Sequence, residues 1–156
     1  MALAEILRTL VRREVRFIVV GGTAGVLQGA PIHTLDLDIV YAIDEENVAR
    51  LDAALRELGA IFRGDSRKLA PDPSHLRSRG HKLLVTREGA LDVLGAIEVD
   101  AGYEQLLPDA DVLDIGGIDV QVLSLERLIA VKEKLDRPKD RVMLEILRAT
   151  LAERPR

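Results

Sequence analysis

The chain has 156 residues, 47% hydrophobic and 31% charged, with a net charge of −4, which excludes both a disordered chain and a general polycation. It has no cysteine, so a disulfide scaffold, a thiolate metal site and a cysteine nucleophile are excluded, and a reducing cytoplasm is the expected compartment. The start MALAEILRTLVRREVRF is broken by charges and lacks a signal-peptide core, and no apolar run reaches the length of a membrane span, so no membrane partner is expected.

Length and composition predict one domain over residues 1–156, with a core at about 15–123 and a helical tail at about 124–153. With 3% aromatic residues and no Trp, its interior is expected to be built from Leu, Ile, Val and Ala.

Residues 2–14 read as a helix, with Leu3, Ile6, Leu7, Leu10 and Val11 on one stripe. Phe17–Val20 is a short buried strand, broken by Gly21-Gly22. A short helix is expected over 23–28, closed by Gly29, and Pro31 supports a loop before a strand at 35–41. Asp44 reads as the N-cap of a helix whose first turn carries Glu45 and Glu46 and which ends at Gly59.

Residues 60–63 suggest a short strand. The stretch 64–80, with two prolines, two glycines and many polar groups, reads as a long loop of functional interest. Strands at 82–86 and 90–94 flank the turn Arg87-Glu88-Gly89. A helical turn is expected at 103–107, and Gly116-Gly117 joins strands 112–115 and 118–123. Ser124 can cap a helix with Leu125, Leu128, Ile129 and Leu135 on its apolar stripe. Pro138 suits the first turn of a final helix that buries Met143, Ile146, Leu147 and Leu151.

Charge is unevenly placed. Arg63, Arg67, Lys68, Arg77, Arg79 and Lys82 crowd one region, and Lys132, Lys134, Arg137, Lys139 and Arg141 another, while no Lys or Arg lies between Glu88 and Glu126. Two basic patches on an acidic chain point to a locally bound polyanion, although either patch alone also describes a solvated surface.

Asp36 and Asp38 carry the chemistry. Two positions apart on a strand, they share one face, with Leu35, Leu37 and Ile39 on the other. At about 6–7 Å between Cα atoms, both can hold one cation or share two. The same alternation also describes a strand with one solvated face.

Three features bear on that choice. Gly21-Gly22-Thr23 follows a strand and opens a helix, where backbone N–H groups can approach an anion, and Thr23 adds a hydroxyl. It completes neither a Walker A loop nor a GxGxxG fingerprint. Asp92 stands in the apolar run ALDVLGAI and needs compensation there, such as a cation shared with Asp36 and Asp38, unless it lies on an exposed face. Lys132 lies on the stripe 125–135, its ammonium either snorkelling to solvent or directed at a phosphate or at the carboxylates. His33, His75 and His81 lack zinc spacing, and no serine has the context of an acyl-transfer nucleophile.

The strand–Gly21-Gly22–helix unit, the Thr34-x-Asp36-x-Asp38 element and the later acid Asp92 together resemble the minimal nucleotidyltransferases of the DNA polymerase β superfamily. The ending SLERLIAVKEKLDRPKDRVMLEIL, with Lys132 ahead of Arg137-Pro138-Lys139-Asp140, is similar to the AbiEii toxin-like branch. The resemblance runs from about Val15 to Leu151. It implies an α/β (α+β) fold, a mixed sheet flanked by helices with the three acids at one end.

It further implies transfer of a nucleoside monophosphate from an NTP, such as ATP, to a hydroxyl of an RNA, protein or small-molecule acceptor, with release of pyrophosphate. Asp36, Asp38 and Asp92 would hold two Mg²⁺ ions, Asp92 would help activate the acceptor, and Gly21, Gly22 and Thr23 would contact the triphosphate, with Lys132 as a further nucleotide-binding group. Such ions can stabilise both the attacking and the leaving oxygen, provided Asp92 comes within about 5 Å of the pair. A tRNA acceptor and a cognate antitoxin or regulator protein are the implied partners.

The sequence departs from the family pattern at two places: Thr23 follows Gly-Gly where many relatives have Ser at the second glycine, and His33 precedes the acidic element where an Arg is frequent. The competing reading is an inactive nucleotide- or partner-binding module, one half of a toxin–antitoxin pair.

Overall fold

The computed structural model describes residues 2–34, 36–98 and 101–155. Its strands are β1 (Phe17–Val20), β2 (Leu37–Tyr41), β3 (Ile61–Phe62), β4 (His81–Thr86), β5 (Gly89–Leu94), β6 (Ala110–Ile115) and β7 (Ile118–Leu123), in one mixed sheet ordered β3-β4-β5-β2-β1-β7-β6. Helices α1 (Ala2–Arg12), α2 (Gly21–Leu27), α3 (Glu45–Glu57), α4 (Pro73–Leu76), α5 (Tyr103–Leu106), α6 (Leu125–Leu135) and α7 (Arg141–Ala152) flank it. This is the expected α+β architecture.

The two most apolar runs take the centre. β1 is buried along its whole length and pairs antiparallel with β2, from Phe17 opposite Tyr41 to Val20 opposite Asp38. β2 then pairs in parallel with β5, and β1 in parallel with β7. Two hairpins fill the flanks. One turns through Arg87-Glu88 between β4 and β5. The other turns through Gly116 and Gly117, whose φ values of 61° and 92° meet the demand of a two-residue hairpin for positive φ at both positions.

Side-chain alternation sorts the sheet's faces. Asp38, Val40, Asp92 and Leu94 share one face, and Leu37, Ile39, Tyr41, Leu91 and Val93 the other. Asn47, fully buried in α3, fastens two chain segments. Its side chain accepts from Arg16 N–H (2.7 Å) and donates to the carbonyls of Arg16 (3.0 Å) and Ala42 (2.8 Å). Asp44 caps α3 through Asn47 N–H, as its position before the acidic turn suggested.

Several expectations shift. α1 ends at Arg12, because Glu14 adopts φ 59° and turns the chain so that Val15 N–H reaches Leu10 O. α2 begins at Gly21 itself. β2 begins at Leu37, leaving Asp36 just ahead of it, and Leu35 lies outside the described residues.

The long loop 64–80 contains α4, begun by Pro73 at its first position and capped by Asp72, which accepts from Ser74 N–H while His75 Nδ1 accepts from Asp72 N–H. Leu135 is exposed, because α6 ends there in an Asp136 C-cap with φ 47°. Pro138 opens a 3₁₀ turn, Pro138–Asp140, that precedes α7. The interior also uses Phe17, Tyr41 and Tyr103 alongside its aliphatic residues.

Candidate active site

β2 lies in the middle of the sheet. Ile39, Val40 and Tyr41 are fully buried, so this strand has no solvated face. Asp38 is half-buried there, directly beside Asp92 in the parallel register of β2 and β5. Adjacent strands lie about 5 Å apart, so the two carboxylates stand next to each other on one face.

Oδ1 of Asp38 is buried without a hydrogen-bond partner among the described residues. The Asp38 carboxyl is pushed up to about 7, first by burial, then by the charge and hydrogen bond of Asp92 and the charge of Asp36, with Arg63 pulling it partly back. Asp36 is exposed and adds its charge from the mouth of the site.

Gly21 is required by this crowding. It has φ 67°, and a Cβ there would stand 2.5 Å from Asp38 Oδ2. The backbone at the start of α2 therefore passes directly against the carboxylate. Gly22 lies near Thr34, with 3.4 Å from a notional Cβ to its hydroxyl. Thr23 is buried, and its hydroxyl donates to Asp36 O (2.6 Å), tying α2 to the residue before β2. With the hydroxyl engaged, the Thr23 N–H remains one of the groups a helix start leaves without an intrahelical acceptor.

Arg63 is the residue that sequence reasoning left in a basic crowd. Its N–H bonds Leu83 O (2.9 Å), and its guanidinium donates to Leu84 O (3.0 Å) and pairs with Asp92. β3 and β4 place it two strands from β5, roughly 10 Å by strand spacing, within reach of an arginine. The compensation that Asp92 needed thus includes a guanidinium.

Lys132 lies elsewhere in the bonding network. Its ammonium is 3.2 Å from Asp140 Oδ1, and Arg137 Nε donates to Asp140 Oδ2 at 2.6 Å. Burial alone would raise the Asp140 carboxyl, but these two cations hold it below its usual range. The Lys, the Arg and the Asp of the tail motif therefore meet as a clamp between α6 and α7. α6 in turn packs against α2, the helix that opens at the acids.

Segment 76–78 is fastened on the face opposite the acids. Tyr41 OH donates to Leu76 O (2.7 Å), and the buried Lys82 ammonium donates to Tyr41 OH (2.8 Å) and to Ser78 O. Beside Asp92, Leu83 is 47% exposed on the acid face, which stays open there. A cavity of about 420 Å³ borders Asp36, between Leu3, Ile6, Thr23, Ile32 and Thr34, and neither Asp38 nor Asp92 lines it.

Among the described residues no three His, Cys, Asp or Glu side chains are arranged as a ready metal site. The donor set nevertheless suits a hard cation: two adjoining carboxylates, one orphaned buried oxygen, and a third acid whose charge is felt at the first. No described helix is long and apolar enough to cross a membrane.

No curated protein sequence matches the chain. Among solved structures, the lincosamide antibiotic adenylyltransferase LnuA, bound to lincomycin, aligns with TM-score 0.66 at 15% identity over 96% of each chain. ANT(2″)-Ia with adenylyl-2″-tobramycin aligns at 0.62 and 16%, over 96% of this chain and 87% of that one. TM1012 of Thermotoga maritima, described as a nucleotidyltransferase candidate, aligns at 0.59 and 23%, over 97% and 94%. At these identities the likeness shows the fold. Residues 5–142 match the family model described as nucleotidyl transferase AbiEii toxin, type IV toxin–antitoxin system, and the chain therefore belongs to this nucleotidyltransferase family.

Proposed function

We propose that the protein transfers a nucleoside monophosphate from an NTP to an acceptor hydroxyl in a Mg²⁺-dependent reaction. The observation that carries this reading is the Asp38–Asp92 pair, held side by side on central strands, with Asp38 Oδ2 against Gly21 and Oδ1 buried without a hydrogen-bond partner among the described residues. Two like charges in such a place are unfavourable alone and become favourable once a cation joins them.

Asp36, Asp38 and Asp92 would hold the Mg²⁺ ions, which supply charge neutralisation at the attacking and leaving oxygens when bound. The chain's own groups do the rest. The Gly21–Thr23 backbone lets the triphosphate approach α2. Asp92 accepts the acceptor's hydroxyl proton. The new P–O bond forms at the α-phosphorus as the bond to pyrophosphate breaks, so alignment dominates the catalysis. The Lys132–Asp140–Arg137 clamp sets how α6 supports α2, and the nucleotide-binding role of Lys132 is tested by its removal.

ATP is the first nucleotide to try, since two structural neighbours are an adenylyltransferase and a complex with an adenylylated product. Exposed Arg67, Lys68, Arg77 and Arg79 support a phosphate-rich acceptor such as tRNA, with a protein or small-molecule hydroxyl as the other classes. The toxin–antitoxin description of the family supports a cognate antitoxin as the opposing gene product. One domain spanning 1–156, working in the cytoplasm, completes the proposal.

The Arg63 guanidinium already paired with Asp92 favours the second reading, a nucleotide- or partner-binding module without turnover. Incubation with labelled NTPs, Mg²⁺ and cell extract separates the two. Transfer of label that disappears in Asp38→Asn and Asp92→Asn supports the enzyme, and NTP binding without transfer supports the module.

A further inference from the structure

Asp92 is not waiting empty-handed for a metal. Arg63 grips it, and Arg63 is itself held by its N–H on Leu83 O and by a second guanidinium bond to Leu84 O. Resting on the metal–nucleotide reading above, we propose that Arg63 is a displaceable counter-ion: it occupies Asp92 in the resting enzyme, keeps free divalent cations off the acid pair, and passes to the triphosphate when the nucleotide arrives.

The geometry favours exchange over a fixed structural bond. The Arg63 side chain is 36% exposed, whereas Asp92 is only 13% exposed, so the cation sits at the rim and its partner inside. Leaving Asp92 therefore returns the guanidinium to water at little cost, while an unpaired Asp92 must be met by another cation. Arg63 directly follows β3, shortly before the exposed Arg67 and Lys68 along the chain. The guanidinium fork suits phosphate oxygens as well as carboxylate. A resident positive charge also opposes a second cation at short range. At about 5 Å, a monovalent and a divalent cation repel by more than 1.4 kcal/mol even in water, which is tenfold or more in affinity.

Removing Arg63 should thus move two affinities in opposite directions, which loss of a purely structural contact does not do. The experiment titrates the full-length protein with Mn²⁺, read by the electron paramagnetic resonance of the free ion, and separately with a non-hydrolysable ATP analogue in EDTA. Relative to wild type, Arg63→Gln is expected to bind Mn²⁺ at least about tenfold more tightly and the metal-free analogue several-fold more weakly. Arg63→Lys, which keeps the charge, should stay near wild type in both.

Wild-type Mn²⁺ binding without any gain in Arg63→Gln, or weakening of both ligands together, overturns the proposal alone. No Mn²⁺ binding by either protein overturns it together with the metal reading. If Arg63→Gln does not melt cooperatively, ¹⁵N signals of the wild-type Arg63 guanidinium, assigned through Arg63→Lys, decide. Their release on saturation with Mg²⁺ and the analogue supports the exchange, and unchanged signals overturn it.

Discussion

Asp38 and Asp92 stand directly opposite each other on the parallel strands β2 and β5, and one oxygen of Asp38 is buried with no hydrogen-bond partner among the described residues. Repulsion between them is stored in the metal-free protein. Asp38→Asn should therefore raise the melting temperature in EDTA at pH 8, by roughly 2–4 °C for each kcal/mol of repulsion relieved. The same variant should lose at least about a hundredfold in nucleotidyl transfer. Parallel melting curves and label-transfer rates check this, and a variant that melts lower than wild type would show that the pair is not strained.

Gly21 carries two constraints at once, φ 67° and a 2.5 Å approach of any Cβ to Asp38 Oδ2. Gly21→Ala is expected to cost about 1–3 kcal/mol of stability and to reduce transfer by displacing the carboxylate. Gly117, also at positive φ but with open space around it, is the control. Gly117→Ala should lower stability through the backbone alone and leave transfer intact. Urea unfolding and turnover measured on both variants distinguish the two effects.

Asn47 satisfies one N–H and two carbonyls inside the protein. Asn47→Ala removes the partner of the Arg16 N–H and one donor from each of the Arg16 and Ala42 carbonyls, the Arg16 carbonyl keeping Ala42 N–H, at a cost of about 1–3 kcal/mol. Because the site's acids lie at the other end of β2, the folded fraction should retain its affinity for the ATP analogue. A urea midpoint equal to wild type would contradict the bonding described for Asn47.

Lys82 is buried among Tyr41 OH and Ser78 O, and desolvation brings its ammonium down to about 8 from 10.5. Its folded form thus gives up the proton before the unfolded form does, so the unfolded state binds more protons between about pH 8 and 10.5. Stability contributed by this group rises with pH across that window and is flat below it. Above pH 10 Tyr41, held above its ordinary value by burial, acts in the opposite sense. The difference in urea midpoint between wild type and Lys82→Met, followed from pH 7 to 10, should shift in favour of wild type as pH increases.

Much of the fold was legible locally. Periodicity marked α1, α3, α6 and α7, and the hairpins at Arg87-Glu88-Gly89 and Gly116-Gly117 followed from their turn residues. Helix α4 was hidden in a polar stretch because four residues carry no periodicity, although Asp72-Pro73 was a start signal of the right kind. Spacing alone puts Leu135 on the apolar stripe of α6, whereas in the fold it is exposed beside the left-handed Asp136 that ends the helix.

The candidate site divides in the same way. The order of residues by itself determined that Asp36 and Asp38 follow a glycine turn, that Asp92 sits in an apolar run, and that Lys132 precedes Arg137 and Asp140, since these are properties of neighbours along the chain. Only the tertiary structure decided which partners they have. Parallel pairing of β2 with β5 puts Asp38 beside Asp92 across more than fifty residues, and the β3–β4–β5 edge brings Arg63 to Asp92. The turn after α6 closes Lys132 onto Asp140. Strand register and edge order depend on how the whole sheet buries its apolar surface, and no local pattern in the chain encodes that.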